Sequence, residues 1–149
     1  MDKRDVIKLA DKIISDSKTA VLSTVTSEGA PKMRWMSPVF LDGRPECIYA
    51  ITSKGFRKTV EINENGNVQW MIQSKSLDVV ITLDGRSTIV ENASLKNEVL
   101  EAVGRQLQTF WTLNKDSSAS TVIETEIISA VVFYPVKGLK HMVSFTKES

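Results

Sequence analysis

Apolar residues return every three to four positions at the start of this chain, where Val6, Ile7, Leu9, Ala10, Ile13 and Ile14 share one stripe. That spacing predicts an amphipathic helix ending near Asp16, with Asp2 and Asp5 placing negative charge where the helix dipole favours it. Beyond it the composition changes. Residues 20–26 are rich in β-branched side chains and close on Ser27-Glu28-Gly29, which reads as a strand and a turn. Residues 30–41 form a second strand interrupted at Pro31 and Pro38, since proline gives the ladder no donor. Asp42-Gly43 then makes a hairpin into a third strand over residues 46–52. A short helix follows Gly55, with Val60 and Ile62 turned inward and Asn65-Gly66 as its stop.

Residues 68–73 read as a fourth strand and 78–91 as a long fifth, in which Asp84-Gly85 marks a bulge or tight turn. Residues 94–107 carry Leu95, Val99, Leu100, Val103 and Leu107 on one helical stripe, with Ser94 in the N-cap position. A polar loop, Ser117-Ser118-Ala119-Ser120, precedes a sixth strand over 122–136. Short strands of antiparallel type with a few helices between them specify a mainly β fold, a β-barrel with peripheral helices. Glycine-rich dinucleotide loops are absent, and so are repeats and long linkers. Residues 1–149 are therefore expected to form a single domain.

Composition removes several function classes. A net charge of +1 argues against a surface that tracks nucleic acid. No apolar run approaches the roughly 18 residues of a membrane span, and no leader pattern is seen, so a soluble cytoplasmic protein is expected. The lone Cys47 rules out an internal disulfide, fits a reducing compartment and reads as a packed thiol. With one histidine, His141, there is no zinc or iron ligand set. Glu124 and Glu126 alternate on a strand and are expected to face solvent, and no nucleophile and base form a recognisable pair.

The chemistry concentrates in residues 52–65. An apolar strand runs into Thr52-Ser53-Lys54-Gly55-Phe56-Arg57-Lys58 and then into a helix. Hydroxyl donors, cations and the unpaired N–H groups of a helix start are three attractions for one phosphate group. A helix end is worth about 0.3–1 kcal/mol to an exposed anion, and a charge-assisted hydrogen bond about 1.5–3. Lys32 and Arg34 lie close by in sequence, so the basic residues suit one small anion better than a polymer.

Two segments, Gly29-x-Pro31-x-x-Arg34-Trp35-Met36 and Thr52-Ser53 followed by Arg57-Lys58-x-x-x-Ile62-x-x-Asn65, resemble the pyridoxamine 5′-phosphate oxidase-like superfamily of FMN-binding split barrels. The chain looks closest to its general stress protein-like branch. The resemblance implies a six- to seven-stranded antiparallel Greek-key split barrel. It implies that Arg34, Thr52, Ser53, Arg57 and Lys58 hold the phosphate or ribityl end of FMN. Trp35 and Met36 would run beside the isoalloxazine, and Gln69 or Trp70 would add a contact. It also implies a homodimer with the flavin between subunits, and an FMN-dependent oxidoreductase acting on a small molecule. A flavin-binding stress protein without turnover, a deazaflavin barrel and a haem-binding barrel through His141 are the alternatives. Departures from the family's pattern point away from pyridoxamine phosphate oxidation itself: Val39 stands where the oxidases carry lysine, Phe56 where relatives often have serine, and residues 140–145 hold no Arg-x-His segment.

Overall fold

The computed structural model describes residues 1–53, 57–106 and 120–146. Helix α1 (Lys3–Ser17) opens on a capping box in which the Asp5 N–H donates to Asp2 Oδ1 at 3.0 Å and the Asp2 N–H to Asp5 Oδ2 at 2.9 Å. It ends at Lys18, whose left-handed backbone returns an N–H to the Ile14 carbonyl. Among the described residues eight strands follow: β1 (Ala20–Val25), β2 (Pro31–Met36), β3 (Val39–Leu41), β4 (Arg44–Ser53), β5 (Asn67–Gln73), β6 (Val80–Val90), β7 (Ser120–Tyr134) and β8 (Leu139–Ser144). Helix α2 (Arg57–Glu64) lies between β4 and β5, and α3 (Ala93–Gln106) between β6 and β7.

All pairings are antiparallel in the order β2-β1-β5-β6-β7-β4-β3, with β8 beside the second half of β7. This is the mainly β, split-barrel architecture expected from sequence, with eight strands in place of six or seven. Two differences account for the count. Pro38 and Ser37 break residues 30–41 into β2 and β3, because proline cannot sustain the ladder. The chain after Tyr134 turns at Gly138, where φ is +65°, and pairs back as β8, an edge strand whose mostly exposed residues carry no alternating signal.

The barrel interior is filled by Leu22, Ile48, Ala50, Trp70, Ile72, Ile81, Leu83, Ile123 and Val132, with Val6, Ala10, Ile13 and Ile14 of α1 joining them. A second cluster forms where α3 lays Leu95, Val99, Leu100 and Val103 against Val39, Leu41, Tyr49 and Val122. The cap of α3 is Asn92, whose Oδ1 accepts from the Leu95 N–H at 2.9 Å, not the expected Ser94. The bulge at Asp84/Gly85 is present in the β6–β7 ladder.

Helix α2 corrects two readings. Val60 is exposed, and the buried face carries Thr59, Glu61 and Ile62 instead. Gly66 is required by proximity and not by a left-handed turn: a Cβ there would lie 2.8 Å from the Ser87 carbonyl oxygen. The two strands close on each other at this point, with the Ser87 N–H donating to the Gly66 carbonyl at 2.7 Å.

Candidate functional site

Because side chains alternate across a strand, Arg34 and Trp35 leave β2 in opposite directions. Arg34 turns into the barrel. Its Nη1 donates to Thr24 Oγ1 at 2.7 Å and to the Leu22 carbonyl at 3.4 Å, and its Nη2 meets Glu61 Oε2 at 3.4 Å. Thr24, fully buried, completes the triangle by donating its hydroxyl to the same Glu61 oxygen. Glu61 is itself buried, with a side chain 5% exposed. A buried carboxylate is tolerated only with such partners.

Lys58, in the first turn of α2, belongs to the same cluster. Burial holds its ammonium below the ordinary lysine range; the Arg34 charge lowers it further and Glu61 opposes both. The first turn of a helix also carries N–H groups without intrahelical partners. The structure thus gathers Arg34 from β2 and Lys58 from α2 around a fixed acceptor set. Thr52, next to last in β4, is on the barrel-facing side and buried, while Ser53 lies on the opposite side of that strand. Arg57 opens α2, but its side chain, like Lys54, Gly55 and Phe56, lies outside the described residues.

The remaining expected contacts separate by face. Trp35 is 71% exposed on the outer surface, beside Met33 at 74%. Gln69 is also outward, its Nε2 donating to Asp84 Oδ1 at 2.7 Å, while Ser129 Oγ donates to Asp84 Oδ2 at 3.3 Å. Gln69 and Asp84, with Ser23, Pro31 and Asn67, line a cavity of about 420 Å³. Met36 points inward and is buried. Trp70 is a correction: its side chain is enclosed in the barrel core, with Nε1–H donating to Thr125 Oγ1 at 3.0 Å, so it packs the interior and has no surface for a ring.

The outer face holds one further feature. Trp35, Val21, Met71, Thr82, Val131 and Met142 are successive cross-strand partners, a row running over six strands. Trp35, Met71 and Met142 are exposed. Contiguous exposed apolar surface marks interaction sites in soluble proteins.

Sequence reasoning missed Thr24 and Glu61. Thr24 read as one more β-branched strand residue, and Glu61 was not singled out; only its position three residues after Lys58, on the same helix face, could have pointed to it. Glu124 was expected in solvent, yet it is half-buried and accepts from the Tyr49 hydroxyl at 2.9 Å, with Arg44 3.8 Å away. Burial and that bond push the Tyr49 phenol up. Cys47 is half-buried, and burial pushes its thiol up as well. Among the described residues no group of histidine, cysteine and carboxylate side chains could hold a metal ion, and no helix is long and apolar enough to cross a membrane. Trp111, which by its size suits packing or a dimer contact, lies outside the described residues.

No curated protein matches this chain. Solved structures share its fold. Similar ones include general stress protein 26 from Bacillus anthracis str. Sterne, at 22% identity and TM-score 0.66 over 91% of this chain and 97% of that one. A protein related to general stress protein 26 from Clostridium acetobutylicum aligns at 13% identity and TM-score 0.72 over 97% of both chains. A heme-binding protein from Mycobacterium smegmatis aligns at 16% identity and TM-score 0.74 over 93% of this chain and 57% of that one. The family model for pyridoxamine 5′-phosphate oxidase matches residues 7–129, and by that match the chain belongs to the pyridoxamine 5′-phosphate oxidase-like family, in the company of the general stress protein 26 relatives.

Proposed function

We propose that this chain binds FMN as a homodimer and serves as an oxidoreductase for a small molecule. The observation that carries the reading is the pair of cations, Arg34 and Lys58, brought together from two elements beside the start of α2, in a chain of this family. The pair suits a phosphate group, because two cations lie beside a helix start, and Thr52 and Ser53 end the strand that precedes this helix in the chain. Arg57, the first residue of α2, completes the proposed set. The bound flavin supplies hydride or electron transfer. Around it, Arg34 and Lys58 take the phosphate, and Trp35 and Gln69, on the outer face, take the ring end.

The homodimer reading is supported by the row from Trp35 to Met142. A second copy laid on that face would cover the exposed Trp35, Met71 and Met142, and would shelter a flat ring that one barrel alone leaves in water. Trp35→Glu tests it by sedimentation: a dimer that dissociates in the variant supports the interface, and an unchanged dimer refutes it.

The cofactor is tested on the freshly purified protein by its absorbance and by chromatography of the chromophore released on heating. Bands at roughly 370 and 450 nm with FMN released support the reading. A colourless protein that takes up no added FMN refutes it. Repeated reduction by NAD(P)H and reoxidation separates the oxidoreductase from a flavin-binding stress protein without turnover. A second reading is haem held through the single histidine, His141, which is exposed on β8 with the Tyr134 ring edge-on at 6.1 Å. The heme-binding relative supports it. A Soret band on haem addition, abolished in His141→Ala, would carry that reading over FMN.

A further inference from the structure

The proposed phosphate site contains its own anion. Glu61 has a side chain 5% exposed and rests against the guanidinium that the ligand needs. The contact is a single one of 3.4 Å, long against the roughly 2.7–2.9 Å of a tight charge-assisted bond. Arg34 is fixed more firmly elsewhere, by Thr24 Oγ1 at 2.7 Å. An arginine offers five N–H donors, and the three contacts described for Arg34 leave donors for a ligand.

We infer that Glu61 is an internal counter-ion that competes with the ligand's phosphate for Arg34, and so makes the bound phosphomonoester exchangeable. The inference rests on the FMN reading above and goes beyond it. Before a ligand arrives, the carboxylate balances part of the charge of Arg34 and Lys58. When a dianion takes the guanidinium, the carboxylate gives up that contact and, still buried nearby, repels the dianion at short range, where salt screens little. Glu61 is thus a specificity-determining residue that acts through Arg34. It weakens the hold on the phosphate and leaves the hold on the ring unchanged.

Glu61→Gln removes the charge while keeping an amide oxygen for the Thr24 hydroxyl and for Arg34. Dissociation constants for FMN and for riboflavin, which lacks the phosphate, are measured for wild type and E61Q at a mildly alkaline pH. The expected result is FMN bound about tenfold more tightly by E61Q and released more slowly, with riboflavin binding unchanged. FMN bound no more tightly by E61Q, with wild-type binding intact, overturns the competition and leaves the FMN reading standing. Wild-type protein that binds neither FMN nor inorganic phosphate overturns both. A measurement on the wild type guards against a variant that fails to fold: in a crystal structure of the FMN-loaded protein, Arg34 and Glu61 are expected to have parted beyond the roughly 4 Å of an ion pair. A retained contact at the present 3.4 Å overturns the proposal.

Discussion

Thr125→Val separates the structural role of Trp70 from the ligand role expected of it. Thr125 sits in β7, fully buried, and its Oγ1 serves two partners: the Trp70 indole N–H at 3.0 Å and the Ser87 hydroxyl at 2.6 Å. Valine keeps the shape and removes the oxygen. The indole N–H, enclosed in the barrel, is then a buried donor without an acceptor, which costs about 1–3 kcal/mol. Loss of the Ser87 bond adds about 1 kcal/mol, the net worth of an ordinary hydrogen bond. The sum is about 2–4 kcal/mol. For a chain of this length that lowers the Tm by roughly 4–16 °C, at about 2–4 °C per kcal/mol.

Urea or thermal unfolding reads the stability, and FMN titration reads the site. The expected outcome is a clear loss of stability with unchanged flavin affinity in the protein that remains folded. Thr125→Ser, which keeps the hydroxyl and loses a methyl group, should cost only about 1 kcal/mol. A Thr125→Val protein within about 0.5 kcal/mol of wild type would refute the reasoning, because it would mean that the indole finds another partner or that water reaches it.

Three further outcomes are expected. Lys58→Ala should weaken FMN binding by about 1.5–3 kcal/mol, or roughly 10- to 150-fold by fluorescence titration, and should leave riboflavin binding nearly unchanged. Gly66→Ala drives a Cβ to 2.8 Å from the Ser87 carbonyl and should cost about 1–3 kcal/mol in urea unfolding, since backbone atoms on both sides must move. Cys47 should be alkylated more slowly than a free thiol at neutral pH, because burial raises its folded-state pKa and so lowers its thiolate fraction; the rate should climb with pH and level off only above the ordinary thiol value of 9.0.

Element order was legible because hydrophobic period and turn residues act locally. The hairpin at Asp42-Gly43, the bulge at Asp84-Gly85 and the stripe of α3 all lie where the pattern puts them. What escaped depended on tertiary contacts. Asn65-Gly66 does stop α2, but the glycine is needed for a close crossing with β6 and not for a left-handed turn, which no local rule contains. Glu61 drew no notice in the sequence and is buried, with Arg34 and Thr24, 27 and 37 residues away in sequence, among its partners. The contiguous motif of Thr52 to Lys58 suggested a phosphate site, but the buried carboxylate beside Arg34 could be seen only once β1, β2 and α2 were assembled.

Strand β2 explains why the faces could not be read from sequence. An ordinary half-buried strand sends its apolar residues to the core and its charges to water. This one does the reverse at two adjacent positions, burying much of Arg34 while leaving Trp35 in solvent. Each half of the inversion is unfavourable for an isolated chain: a guanidinium is partly desolvated, and a large aromatic surface is left wet. Hydrophobic patterning therefore assigns β2 the wrong way round. Such violations are expected where function sets the residue. If flavin and a second subunit complete the structure, the inversion resolves at once, since the phosphate meets the inward cation and the ring with the partner surface covers the outward aromatic. The two halves should then be separable. Arg34→Gln should reduce FMN affinity while leaving riboflavin affinity and the dimer intact. Trp35→Glu should disrupt the dimer and weaken both flavins together. Equal effects of the two substitutions on FMN, riboflavin and assembly would mean that β2 is merely unstable, and that its inverted pattern marks no site.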